Sequence, residues 1–341
     1  MPHGATGSVT RVIYLLVFAV CVALVVRGGT ALARYANAIA ETTGLGRLWV
    51  GTLLLAGATS LPELATDLTA VRIGAVDLAV GDLFGSSLAN MLILAIIDLV
   101  PPRRQVLRNV AFDHALAASL AISVNALAAA FVLARFEHSV LGVAPGSLLL
   151  VFAYVAGSWA VYRHAVRPSA TPAAARLAAA EPALTTRRAL QRFAGAAAVV
   201  LVAAPGLAWS AQGIAAISGL GETFVGTWLV GLSTSLPELV ASLAAVRLGA
   251  FDLAVGNLFG SNAFNMAILL PLDLAQSGSL FAVLDPTHAI SALFSIVLMS
   301  LGLAAVVYRA ERRFAMIEPD SLLILVAYAA AIGMTYAYAA R

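Results

Sequence analysis

Residues 59–98 read TSLPELATDLTAVRIGAVDLAVGDLFGSSLANMLILAIID, and residues 234–273 read TSLPELVASLAAVRLGAFDLAVGNLFGSNAFNMAILLPLD. At a constant offset of 175, 26 of these 40 positions are identical and no gap is needed. Chance does not produce such a match, so the chain holds two related copies of one unit. Self-similarity at a fixed spacing constrains a fold more than any local pattern does. Each copy is strongly apolar, yet each carries a Pro beside a Glu, small residues at four-residue spacing, and several Ser and Asn.

The rest of the chain says what solvent the copies live in. Of 341 residues, 61% are hydrophobic and 11% charged, and the mean hydropathy is +0.95. A soluble domain runs near ~25% charged residues, so a soluble enzyme, a nucleic-acid binder and a disordered tail protein are excluded. A spanning helix needs about 20 mainly apolar residues. Ten stretches qualify: 12–27, 48–71, 76–99, 110–134, 143–165, 193–216, 223–246, 251–271, 288–308 and 320–339. The first has a weak basic flank and no small-residue cleavage site after it, so it reads as a helix that stays rather than a leader. All 20 basic residues are Arg, which with heavy Ala use points to a GC-rich bacterial source. The single cysteine excludes an intramolecular disulfide, and no phosphate-cradling loop is present to use ATP.

Ten spans place both termini on one side. With the termini outside, 16 Arg fall on the inner side and only Arg11, Arg72, Arg135 and Arg341 on the outer. Positive charge collects on the cytoplasmic side, so the pattern predicts a plasma (inner) membrane protein with extracytoplasmic termini. The Pro- and Ala-rich segment 167–190 is the only linker and divides a first half, 1–166, from a second, 191–341. The copies occupy spans two and three, and seven and eight. An odd number of spans separates them, so they face opposite sides. The expected fold is therefore an all-α polytopic membrane protein of ten transmembrane helices in two inverted five-helix repeats. Inverted repeats with helices interrupted by Pro and Gly are the mark of a secondary transporter whose site lies near the bilayer midplane.

The repeated residues suggest what such a site would hold. Pro62 and Pro237 are read as lying inside helices, where each removes a backbone bond and frees the carbonyl four residues back, at Ala58 and Ser233. Thr59 and Glu63 are four apart and share a face, as do Thr234 and Glu238, Ser86 and Asn90, and Ser261 and Asn265. Gly81, Gly85, Gly256 and Gly260 allow close helix approach. The donors are all oxygen, with no His or Cys, which suits hard cations such as Na⁺, Ca²⁺ or Mg²⁺ and argues against Zn²⁺ or Cu⁺. Singly, the hydroxyls and amides also read as ordinary interhelical hydrogen bonds. Glu63 and Glu238 do not, because an unpaired charge in mid-membrane costs at least ~2.5 kcal/mol, and only a cation or a proton can offset it. Asp67 and Asp82 occur in the first copy only. They read either as entrance carboxylates that concentrate cations or as groups reaching water at helix ends. Asp98 and Asp273 read as caps, and His114, His138, His164 and His288 as interfacial groups. Trp49, Trp159, Trp209 and Trp228 read as packing or interface anchors.

The two copies resemble the alpha-repeats of the cation/calcium antiporter superfamily, whose sodium/calcium exchangers repeat G-T-S-L-P-E and G-N-x-x-G-S-N-x-x-N. That resemblance implies Ca²⁺ and Na⁺ competing for one central site with alternating access. It implies Glu63 and Glu238 as paired acidic ligands, and hydroxyl or carbonyl oxygens from Thr59, Ser60, Thr234 and Ser235. Ala56 and Gly231 would add backbone carbonyls, and Ser86, Asn90, Ser261 and Asn265 would complete the lining. The chain departs from the pattern at Ala58 and Ser233, where the family has Gly, and at Gly81-Asp82 and Gly85-Ser86-Ser87. It also departs at Asn265, where some exchangers carry Asp. The implied activity is Ca²⁺/Na⁺ antiport, not an enzyme reaction, with no cofactor and with inorganic cations and the bilayer as partners. Proton-coupled antiport of Ca²⁺, Mn²⁺ or Mg²⁺, a channel, and a non-transporting membrane scaffold stay open as alternatives. An intramembrane protease is disfavoured, since no Ser–His or paired-Asp arrangement is repeated.

Overall fold

The structure, a computed structural model, describes residues 4–99, 114–135, 139, 142–165, 184–218, 234–276, 278–308 and 319–339. In chain order these form α1 (Gly4–Thr43), α2 (Arg47–Thr59, with a π-helical stretch Val50–Leu55) and α3 (Leu61–Arg72). There follow α4 (Val76–Leu99), α5 (His114–Ala134), α6 (Pro145–Ala165) and α7 (Thr186–Ser218). The second half continues with α8 (Leu236–Arg247), α9 (Phe251–Ala275), the single turn α10 (Leu280–Val283), α11 (His288–Tyr308) and α12 (Pro319–Ala339). Among the described residues, seven helices are long and apolar enough to cross a membrane, or eight if α2 and α3 form one span bent by 42°. The expected span 223–246 is seen only as α8, because 219–233 lie outside the described residues, Gly231 among them. The apolar part of α12 is Ser321–Met334, shorter than a full span.

Two boundaries differ from expectation. The first helix runs well beyond 12–27 at both ends because it lies along α7 for most of its length, and it stops at Gly44, whose φ is +71°. The second half begins inside the expected linker. α7 starts at Thr186, with Ala189 fully buried, since Arg and Ala are good helix formers and only the part before them is a connector.

The packing has a two-fold logic. Repeat-equivalent helices pack on each other: α1 on α7, α4 on α9, and α5 on α11. Crossed contacts also come in matched sets, α1 on α8 with α7 on α3, α5 on α9 with α11 on α4, and α6 on α9 with α12 on α4. α4 and α9 are thereby enclosed by protein, while α1, α6 and α7 turn Leu16, Phe152 and Val202 outward, as lipid-facing helices do. The end of α9 leads through Leu280, whose N–H donates to Asp273 (2.7 Å), to Asp285, whose N–H donates to Asp77 at the start of α4 (2.9 Å). The start of α4 thus lies at the end of α9, and the two equivalent helices run in opposite directions, as an inverted repeat requires.

Matched devices fix the ends. Gly74 (φ +85°) and Gly249 (φ +71°) close α3 and α8 with the same motif. Ala75 and Ala250 donate five residues back (both 2.9 Å), and the glycines donate three residues back. Only Gly takes that left-handed conformation without strain. Beyond each turn, Asp77 and Asp252 bind a histidine of the other half. His288 Nε2 lies 3.0 Å from Asp77, and His114 Nε2 lies 3.0 Å from Asp252. A carboxylate only accepts, so each imidazole donates from Nε2. His114 is fully buried, which corrects the expectation of a wet interfacial role.

The halves pack backbone to backbone at Gly260, where an added Cβ would meet the Thr52 carbonyl oxygen and Cα. Backbone cannot move aside as a side-chain tip can. Gly260→Ala is therefore expected to destabilise the protein by about 1–3 kcal/mol, read as a lower Tm in detergent. Gly195→Ala, with nothing within 4 Å, is expected to leave Tm unchanged or slightly raised.

Candidate cation site at the helix breaks

Glu63 stands just after a helix break, and Glu238 in the first turn of α8. Ser60 (φ −92°, ψ 3°) ends α2, and Ser235 (φ −83°, ψ 2°) precedes α8. Pro62 and Pro237 fall in the first turn of the helix that follows rather than inside a continuous one. There the missing N–H was unpaired in any case, so proline begins a new helix instead of kinking an old one. At the first break the backbone is well satisfied: Ser60 N–H donates to Ala56 O (3.0 Å) and Leu64 N–H to Ser60 O (3.2 Å). The Thr59 hydroxyl lies 3.2 Å from Ala56 O as well, so a cation at that carbonyl would have to displace the hydroxyl. The break also places Glu63 and Glu238 in the first turns of α3 and α8, where the electropositive helix end favours a carboxylate by ~0.3–1 kcal/mol.

The two halves meet through these residues. The Ser60 hydroxyl donates to Glu238 Oε1 (3.3 Å), and the Thr59 hydroxyl reaches Asn257 Oδ1 (3.3 Å). The repeat-equivalent contact of the latter is Thr234 to Asp82 Oδ1 (3.4 Å). Glu63 and Glu238 lie within electrostatic reach of each other. Three equivalent pairs line this region: Glu63 and Glu238, Ser86 and Ser261, Asn90 and Asn265. None of the six is more than 2% exposed. Each has an oxygen with no hydrogen-bond partner: Glu Oε2, Ser Oγ or Asn Oδ1. The same holds for Ser235 Oγ and for Oδ2 of Asp67 and Asp82. Buried polar atoms are nearly always paired, so these oxygens are the acceptors a positive partner could use. Among the described residues, no group of three or more His, Cys, Asp or Glu side chains is spaced to hold a metal ion. Any shell here would need the hydroxyls and amides beside the two glutamates.

Asn90 is aimed by residues that the motif spacing did not single out. Its Nδ2 donates to Asn262 Oδ1 (2.8 Å), and Asn262 Nδ2 donates to Ser87 O (3.3 Å). Asn125 on α5 donates to Asn262 O (3.2 Å) and accepts from Ser295 on α11 (3.3 Å). With its nitrogen held, Asn90 keeps Oδ1 without a hydrogen-bond partner. Asn257 and Asn262 were findable, as repeat partners of Asp82 and Ser87; Asn125 carried no repeat signal. Asp273 binds backbone N–H groups as a turn former does, Ala144 N (2.6 Å) and Leu280 N (2.7 Å), but it is buried rather than interfacial, and the buried Asp98 accepts from the Ser321 side chain of α12 (2.8 Å).

Comparison with known proteins bears on this geometry. The family model described as "Sodium/calcium exchanger protein" matches residues 13–163 and 189–337. A putative antiporter, CaxA, of Alkalimonas amylolytica is 28% identical over 282 residues, covering 79% of this chain and 83% of its own. The inner membrane protein YrbG of Escherichia coli (strain K12) is 30% identical over 259 residues, covering 73% and 75%. Among solved structures, the sodium-calcium exchanger NCX_Mj soaked with 10 mM Na⁺ superposes with a TM-score of 0.73 at 19% identity, covering 95% of this chain and 99% of that one. This last likeness is one of fold.

If Asn262 positions Asn90, Asn262→Ala is expected to weaken binding of a hard cation about tenfold, the equivalent of one buried hydrogen bond. Radioactive Ca²⁺ binding to the purified protein reads this, with size-exclusion chromatography confirming the fold. Unchanged affinity would leave Asn262 a packing residue.

Proposed function

The chain belongs to the sodium/calcium exchanger family, and from that premise we propose that it is a secondary antiporter exchanging Ca²⁺ for Na⁺ by alternating access at a midplane site. One observation carries this: three repeat-equivalent pairs of buried residues, one of each pair from each half, keep unpaired oxygens, and among them Glu63 and Glu238 lie within electrostatic reach of each other. Magnitudes explain why such a site would exchange ions rather than leak them. Placing one charge at the bilayer centre costs at least ~2.5 kcal/mol, whereas a helix N-terminus returns only ~0.3–1 kcal/mol. Two facing carboxylates are therefore tolerable when a cation lies between them and costly when it leaves. An ion can depart only as another takes its place, and that is coupling.

Ca²⁺ suits the site because it accepts several flexible oxygen ligands, and the set here is carboxylate, hydroxyl and amide. Na⁺, also a hard cation, competes for the same oxygens. Ala56 and Gly231 carbonyls, Thr59, Ser60, Thr234 and Ser235 would complete the shell, with Ser86, Asn90, Ser261 and Asn265 lining it. The inverted repeat supplies the alternation, since two halves that can exchange conformations make equivalent openings on the two sides. The chain is an integral membrane protein of a transporter family, and the proposed activity moves ions without chemical change and without a cofactor. Arg placement supports an inner-membrane orientation with ten spans and extracytoplasmic termini.

Glu63→Gln and Glu238→Gln should each abolish Na⁺-driven Ca²⁺ uptake in proteoliposomes, since each removes one of the two charges that hold the divalent ion. Normal uptake by either variant would show that the site is elsewhere.

A further inference from the structure

The two halves are not equivalent in charge. In the second half, Asn257 bridges its surroundings as a neutral group: its Nδ2 donates to Ser242 (3.0 Å), and its Oδ1 meets the Thr59 hydroxyl (3.3 Å). The equivalent positions in the first half are Asp67 and Asp82. Thr234 donates to Asp82 (3.4 Å), matching Thr59 and Asn257, and the Asp67 carboxyl lies within hydrogen-bond reach of Asp82, matching Ser242 and Asn257. The contact survives, but its amide donor does not. An amide gives a hydrogen to a hydroxyl, whereas two ionised carboxylates only accept, so this pair needs a proton or a cation between its oxygens.

Something positive must therefore stand where the amide hydrogens stand in the other half. Asp67 is 1% exposed, so the reading in which it reaches solvent at a helix end is not favoured, whereas Asp82 is partly exposed. Oδ2 of each aspartate is enclosed and without a partner. Among the described residues, no Arg or His acts on either carboxylate. Glu63, one turn before Asp67 and 1% exposed, is within electrostatic reach of both, and its own Oε2 is unpaired. Among the described residues, Asp67 and Asp82 thus feel a third carboxylate and no cationic side chain.

We propose that Asp67 and Asp82 form a second hard-cation site, joined to the central one through the Thr234 hydroxyl and present in the first half only. It rests on the exchanger reading in taking its occupant, Na⁺ or Ca²⁺, from the ions carried. The site makes the two routes to the centre unequal: one passes a neutral Ser–Asn pair, the other an anionic pair that can hold an ion in waiting.

The repeat itself supplies the test variant. Asp67→Ser combined with Asp82→Asn installs the pair that the second half already packs, so it removes the charge with little disturbance to shape. Equilibrium binding of radioactive Na⁺ and Ca²⁺, in separate arms at fixed pH, is compared between the purified full chain and this double variant. The expected result is the loss of about one bound cation per chain. Loss in the Na⁺ arm identifies a sodium site, and loss in the Ca²⁺ arm a calcium site. Equal stoichiometry in both arms, for the double variant or for a folded Asp67→Ser or Asp82→Asn single variant, overturns the second site and leaves the exchanger reading standing. A wild-type chain that binds neither ion overturns both.

Discussion

Two glutamates, each in the first turn of its helix and each less than 2% exposed, lie within electrostatic reach of each other where two inverted halves meet. In water such a pair would repel weakly. Inside a membrane protein, with no Arg or His acting on either among the described residues, the charges are offset only by helix ends and by hydrogen bonds from backbone and from Thr59 and Ser60. The helix breaks, the enclosed α4 and α9, the glycine contact at Thr52 and the amide chain behind Asn90 all bring oxygen to that place and exclude lipid from it. On the proposed reading, a cation held between the two carboxylates would offset the cost of those charges, and its exchange would be the transport step.

The two-fold arrangement sets how far symmetry goes. Helix packing, turn glycines and the Asp–His ties across the halves come in matched pairs, so the scaffold treats its two ends alike. Asp67 and Asp82 break the match where cations would pass. A carrier with equal routes has no built-in difference between loading from one side and from the other, whereas a pair of carboxylates beside one route supplies one.

The repeat made most of the fold legible. An exact register of 175 residues gave the inverted halves, the glycine turns and three of the four residue types at the site, because each was written twice. What the sequence hid follows from tertiary contact. Pro62 reads as a kink and proves to be a start, since periodicity cannot say whether a helix continues through a proline or restarts beside it. Helix α1 outruns its apolar stretch because α7 supports its length, and α7 begins inside what composition marks as linker. His114 sits at a helix end, where wet histidines are common, yet Asp252 from the other half buries it. Asn125 has no repeat partner of its own kind, so only its position behind Asn262 reveals it.

The central claim is that the carriage of Ca²⁺ is coupled to Na⁺. Its most direct measurement is radioactive Ca²⁺ uptake into proteoliposomes loaded with Na⁺, at equal pH on both sides, with the Na⁺ gradient imposed, reversed and removed. Uptake that follows the Na⁺ gradient, reverses with it and vanishes without it is the predicted result. Uptake that ignores Na⁺ and follows an imposed pH gradient would contradict it.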